Sequence, residues 1–519
     1  MVKPIRTLLL LFYIACFMAV IMVMSPKEIP LGNDLAIKVM STEDFSPSEA
    51  DTQQVDMTAF LQKQAQLDSL AKVRDAQLAA QEDSMNRLKL AGATQGKEMA
   101  THKEKNEAIG DVKYTIQYPD SGAYYALDNF FASLQSLLEK PNLIRVVHYG
   151  DSQVEGDRIT DYLRNRMQAR FGGCGVGVVP LLEKQAFRNT ISSDEAGNWQ
   201  KVAVYGDNKG KPNQFYGLLA SMYRFAPALN KDSLSDKVYK SWVKYKETGY
   251  LSKTDLNTKV ENIKILYNSP KAELTTTITI DRAGKNENDT TFKYKLPQQD
   301  QRGVLGLFEQ VIETRFKKVN MSFEAEAGTE FYGVAFDCHT GVAVDNVALR
   351  GSAGVEFTKM NKDFVRQHLK KMNVKLLILQ FGVNVVPSPV SNYDFYEKLV
   401  IKQLRFFKSI DPDLAILVVG VSDMAHKSGT GYVSYSNIPK IRNAQRNAAF
   451  ATGCAFWDLY EAMGGAGAMK SWVSSRPPLA GKDYTHFNSR GATVVGEMLY
   501  EALMKSYEEY KERNNGIFP

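Results

Sequence analysis

A hydroxyl, an imidazole and a carboxylate are the groups that nucleophilic attack on an acyl carbonyl requires, and Ser152, His486 and Asp483 supply them. A serine hydroxyl is a weak nucleophile at neutral pH. It needs a base, and the base needs a partner that fixes its tautomer. Asp483-Tyr484-Thr485-His486 places such a pair three residues apart on one loop, leaving one imidazole nitrogen for Ser152. Acyl chemistry also builds negative charge on the carbonyl oxygen, and one preorganised donor there is worth about 3 kcal/mol. Asn384, Gly351 and the backbone N–H of Ser152 are the candidate donors. Each piece alone has a plain alternative: Gly150-Asp151-Ser152 as a turn or cap, Asp483 as a cap, His486 as a surface residue, Asn384 and Gly351 as turn residues.

Such groups must be held by regular elements. Leu143 to Tyr149 is a β-branched run that reads as a buried strand, and Asp157 to Arg170 has helical spacing with Ile159, Leu163 and Met167 on one face. Ser152 between them would project at the rim of a sheet and meet a helix N-terminus, whose N–H groups favour an anion. The same grammar recurs later. Strands are expected over 344–349, 374–381, 414–421 and 455–457, and helices over 363–372, 393–409, 438–452 and 489–507. Alternation of this kind implies a parallel sheet covered on both faces. Between about 190 and 335 the pattern changes to short strands, 262–267, 274–280, 291–296 and 319–323, separated by polar turns. That segment reads as an inserted antiparallel β-sandwich-like module.

Composition narrows the classes. The 519 residues suggest several domains, and a net charge of +6 without a dense Lys/Arg stripe argues against a nucleic-acid partner. Histidine occurs only six times, so one inside a catalytic-looking motif carries weight. Four cysteines, Cys16, Cys174, Cys338 and Cys454, contain no C-x-x-C and suggest no zinc site. A Cys174–Cys338 bridge is one option beside isolated buried thiols. Lys3 and Arg6 precede an uncharged apolar run, Leu8 to Met24. Residues 1–27 read as an uncleaved membrane anchor or a signal peptide, and both place the remainder outside the cytoplasm. Residues 28–110 read as a stalk or spacer, partly helical, with a weak apolar stripe from Phe60 to Leu88.

The joint order of the motifs resembles the SGNH/GDSL hydrolase superfamily. Its four blocks match Gly150-Asp151-Ser152, Gly351, Gly382-x-Asn384 and Asp483-x-x-His486. The resemblance implies a three-layer α/β/α, flavodoxin-like domain, split as 111–190 and 336–519 around the module at 191–335. It implies ester hydrolysis or acyl transfer without metal or cofactor. Ser152 would be nucleophile, His486 base, Asp483 its partner, and Ser152, Gly351 and Asn384 the oxyanion donors. His148 to Asp157 and Leu163 to Gly173 are similar to the branch containing bacterial peptidoglycan O-acetylesterases, which also carry a β-rich, carbohydrate-binding-like insertion. Two departures stand: Val385-Val386 follow Asn384 where that branch has an acidic residue, and Gly354 competes with Gly351 for the second block. The expected substrate is an acylated envelope polysaccharide, peptidoglycan foremost. An O-acyltransferase and a non-catalytic glycan-binding protein are the alternatives. His339 reads as structural, and Asp423 and His426 have no assigned role. Trp199, Tyr205, Phe215, Tyr216, Tyr223 and Trp242 read as module core rather than sugar platforms.

Overall fold

A computed structural model describes residues 115–119, 125–137, 139–183, 188, 190–206, 215–228, 237–248, 260–282, 289–314 and 316–514, together with the backbone of one N-terminal hairpin. The chain divides into two compact units, Met1–Leu70 and Ala71–Pro519. In the first, Glu28–Gly32 pairs antiparallel with Leu35–Lys38. The anchor reading of 1–27 and the stripe from Phe60 to Leu88 lie outside the described residues. Among the described residues no helix is long and apolar enough to cross a membrane.

The second unit contains a six-stranded sheet. Its elements in chain order are β1 (Ile116–Gln117), α1 (Asp128–Ser136), β2 (Leu143–Gly150), α2 (Thr160–Phe171), β3 (Gly341–Ala348), α3 (Lys362–Lys371), β4 (Val374–Gln380), α4 (Asp394–Ile410), β5 (Ala415–Val419), α5 (Ile438–Phe450), β6 (Ala455–Trp457) and α6 (Ser489–Asn514). The strand order is β3-β2-β4-β5-β6-β1. All neighbours are parallel except β1, which runs antiparallel on β6. The chain therefore reverses its winding direction between β2 and β4, the place where open α/β sheets bind ligands.

Burial follows from the strand period of two. On β2, Ile144 and Val146 share a core with Phe131 of α1, Leu163 of α2 and Leu499 of α6. Val147 and Tyr149 face the other way, into a core with Phe364 of α3, Phe407 of α4 and Ile441 of α5. β4 splits likewise, Leu376 and Ile378 against Leu377 and Leu379. Both faces are covered, which is why these strands read as near-continuous apolar runs.

Between α2 and β3 the chain builds two antiparallel sheets. One has the order 306–314, 260–268, 330–337, 221–224, 200–203, with 177–179 also pairing on 330–337. The other has the order 290–296, 274–282, 316–325, 239–247, 191–195. Their inner faces meet: the Phe323 and Phe331 rings, one from each sheet, lie 4.9 Å apart, and Trp199 packs edge-on against Phe331 at 5.3 Å. Trp199, Tyr216 and Tyr223 are core, as expected, whereas Tyr205, Phe215 and Trp242 are only half-buried.

At the root of this module a disulfide joins Cys174 to Cys338 across 164 residues. Beside it the guanidinium of Arg145, on β2, bonds Asp337 and Asp345 at 2.5 Å each, with all three side chains fully buried. Asp345 also accepts from the Val178 N–H at 2.8 Å. A buried arginine is tolerated because two carboxylates neutralise it. His339 belongs to this turn, its ring 2.7 Å from the Asn262 amide and its N–H on Glu261.

Candidate active site

The register of the sheet brings the motifs together. Gly150 of β2 lies level with Ala348 of β3 and Gln380 of β4, so Ser152, Gly351 and Asn384 all follow from one carboxyl edge. Gly150 is required by contact: a Cβ there would lie 2.7 Å from Val154 and 2.9 Å from the Gln380 carbonyl. The chain then enters a short 3-10 turn, Ser152–Asp157, broken by non-helical backbone at Glu155 and Gly156. This corrects the expected helix start: α2 begins only at Thr160, so its N-terminus does not meet Ser152. Instead Asp151 caps the turn, accepting from the Gln153 N–H at 3.0 Å. Burial pushes the Asp151 carboxyl up to about 6, against the opposing pull of the N–H groups of Gln153, Val383 and Gly382. Asp151 thereby links the Ser152 turn to the loop that carries Asn384.

Ser152 Oγ lies 2.7 Å from His486 Nε2, although the two residues are 334 positions apart in the chain. His486 Nδ1 lies 2.7 Å from Asp483 Oδ2. Burial alone would raise the Asp483 carboxyl, but the His486 ring and the N–H groups of Thr485 and His486 outweigh it and hold it at about 2. An ionised carboxylate only accepts, so Nδ1 carries the hydrogen and Nε2 faces Ser152 as an acceptor. Ser152 is buried, while the His486 and Asp483 side chains are 35% and 51% exposed, so the site opens on the imidazole side.

The candidate oxyanion donors stand on a tied loop. Asn384 Nδ2 donates to the Ser352 carbonyl at 2.9 Å, which leaves its second hydrogen. The Gly354 N–H donates to Ser352 Oγ, and that hydroxyl donates to Glu356 at 2.6 Å. Gly354 is thus committed to the loop's own scaffold, and of the two glycines Gly351 keeps its N–H without such a partner among the described residues. Gly351 has φ +81°, a conformation that favours glycine.

Two residues that sequence reasoning passed over hold the halves together. Gln153 Nε2 donates to the Thr485 carbonyl at 2.7 Å, and its Oε1 accepts from the Phe487 N–H at 3.3 Å. Arg158 donates to the Ser152 carbonyl at 2.5 Å and to the Phe487 carbonyl at 2.9 Å. Both bridge the serine turn to the histidine loop. Their only sequence signal is adjacency to Ser152. On the far side of that loop Tyr484, at φ +57°, stacks on Tyr432 with ring centroids 3.5 Å apart. Asp423 is buried and accepts from Ser434 Oγ and the Met469 N–H, and His426 packs on Tyr435, so neither joins the Ser152 cluster.

The switch point of the open α/β sheet thus brings a Ser, a His and an Asp into bonding sequence. Among solved structures the chain is similar to a peptidoglycan O-acetylesterase, at 19% identity over 73% of this chain and 96% of that one, with a TM-score of 0.55. That likeness shows a fold shared across both the α/β sheet and the added β module. Smaller overlaps are with an acetyl xylan esterase (18% identity, 31% of this chain and 81% of that one, TM-score 0.25) and a GDSL-like lipase from Parabacteroides merdae (14%, 31% and 72%, TM-score 0.23). No family model matches the sequence, and no curated protein matches it.

Proposed function

We propose that this protein is a carboxylic ester hydrolase of the SGNH/GDSL type, with a three-layer α/β/α catalytic domain, that removes O-acetyl groups from a cell-envelope polysaccharide such as peptidoglycan. The observation that carries this reading is the continuous bonded path from Ser152 Oγ through the imidazole of His486 to Asp483. Ser152 Oγ attacks the acyl carbon while His486 Nε2 takes its proton, and Asp483 holds Nδ1–H and stabilises the imidazolium. Negative charge on the carbonyl oxygen meets the Ser152 and Gly351 N–H groups and the second Asn384 N–H. Collapse returns the proton from His486 to the leaving alcohol oxygen. A water, deprotonated by the same nitrogen, then releases the acid and restores Ser152.

Hydrolysis rather than transfer to a sugar acceptor is favoured by the exposure of His486 and Asp483, since acyl transfer requires water to be kept away. The polysaccharide substrate rests on the fold shared with a peptidoglycan O-acetylesterase. A location outside the cytoplasm, periplasmic in a Gram-negative cell, with residues 1–27 as membrane anchor, rests on the apolar run Leu8 to Met24 and on the Cys174–Cys338 disulfide, a bond that oxidising compartments preserve. The test is turnover of p-nitrophenyl acetate, serine labelling by a fluorophosphonate, and acetate release from O-acetylated peptidoglycan. Wild-type protein is expected to do all three and Ser152→Ala none. Absence of both turnover and labelling in the wild type would leave the non-catalytic, glycan-binding alternative.

A further inference from the structure

The inserted module reaches the site through one side chain. Tyr205 follows the strand Gln200–Ala203, and the preceding Val204 N–H is fixed on the Ala220 carbonyl at 2.9 Å. A Cβ placed on Gly351 would lie 2.9 Å from the Tyr205 hydroxyl oxygen and 3.3 Å from its ring edge. The phenol tip therefore stands directly against the candidate oxyanion glycine. The loop beneath it cannot easily yield. Leu349 N–H is bonded to the Gly150 carbonyl, Ser352 N–H to Leu349, Ser352 Oγ to Glu356, and the Ala353 carbonyl to the Tyr396 hydroxyl. Tyr205 is half-buried, and its hydroxyl has no hydrogen-bond partner among the described residues. A phenol oxygen in that state is left to solvent, so the ring packs its body on the core and presents its tip beside Gly351.

A carbonyl oxygen seated among the Ser152, Gly351 and Asn384 donors points its two substituents, the acyl chain and the leaving group, away from those donors on either side. A rigid ring pressed against Gly351 must border one of them. We propose that Tyr205 is a specificity-determining residue that touches the substrate and walls the acyl side of the site, confining it to short acyl groups. The catalytic unit is then completed by the module, whose insertion sets the acyl length that the sheet edge accepts. This inference rests on the hydrolase reading above.

The experiment compares kcat/KM for p-nitrophenyl acetate and p-nitrophenyl butyrate in the full chain, for wild type, Tyr205→Phe, Tyr205→Ala and Ser152→Ala, with melting temperature recorded for each. Opening the wall is expected to raise the butyrate-to-acetate ratio of Tyr205→Ala by about tenfold or more, the scale that apolar pocket contacts reach. Tyr205→Phe keeps the ring and should keep the wild-type ratio, which separates the wall from a general loss of structure. If Tyr205→Ala melts below the assay temperature, Tyr205→Leu retains apolar bulk at the core, removes the phenol tip and reads the same ratio. A ratio within twofold of wild type in the folded Ala or Leu variant overturns the wall while leaving the hydrolase reading intact. Equal, background turnover of wild type and Ser152→Ala overturns both.

Discussion

At the scale of single residues, the depressed pKa of Asp483 bears on rate and on stability alike. Replacing it by Asn removes the anion that fixes Nδ1–H, and kcat should fall by about 10,000-fold with little change in KM, as loss of the tautomer does in triads of this kind. A carboxyl held at about 2 in the fold and near 3.8 when unfolded adds stability that is complete above the unfolded value and lost as the pH falls toward 2. The melting-temperature advantage of wild type over Asp483→Asn should therefore be present at pH 5 and shrink between pH 4 and 2. An advantage that persists undiminished at pH 2 would contradict the bonding described. Gln153 acts through other groups: Gln153→Ala strips a donor from the Thr485 carbonyl and an acceptor from the Phe487 N–H. It should lower kcat by about tenfold, and chemical denaturation should show a loss of about 1–3 kcal/mol.

At the scale of elements, what could be read in the chain depended on whether the signal was local. Ser152, Asn384 and the Asp483–His486 pair were legible because each sits in a contiguous motif beside an apolar strand. The strands β2 and β4 were legible because burial on both faces leaves few polar interruptions, Arg145 and His148 in the first and Lys375 and Gln380 in the second. The roles of Gln153, Arg158 and Tyr205 were not legible, because each depends on residues more than one hundred positions away. Ser221–Arg224 and Gln200–Ala203 are four residues long, too short to carry a period. Ile191–Glu195 lies at a sheet edge and is nearly all polar, so it does not look like a strand. The helix after Ser152 starts later than the spacing of Ile159 and Leu163 predicts, because Glu155 and Gly156 break the backbone before them. Gly354 differs from Gly351 in a contact the sequence does not signal, its N–H donating to Ser352 Oγ.

At the scale of the molecule, a disulfide and a buried arginine with two carboxylates meet at the base of the module. Arg145→Met leaves Asp345 a buried carboxylate without a cation and Asp337 with only Lys264, 4.0 Å away. It should lower the unfolding free energy by about 3–5 kcal/mol in urea titrations, more than Asp337→Asn does. The disulfide acts at the same place by a different route. Closing 164 residues between Cys174 and Cys338 removes freedom from the unfolded chain worth about 5 kcal/mol in the loop-entropy account. Ester turnover measured after mild thiol treatment should lose its tolerance to heating before it loses its rate at 25 °C.

The covalent link has one more implication, for how the protein would come apart. Any single cut made by a protease between Cys174 and Cys338 leaves one sulfur on each product. A nicked sample should migrate as one species on a gel run without thiol and as two bands once thiol is added. Damage to this protein in its surroundings could thus accumulate unseen until a reductant reached it.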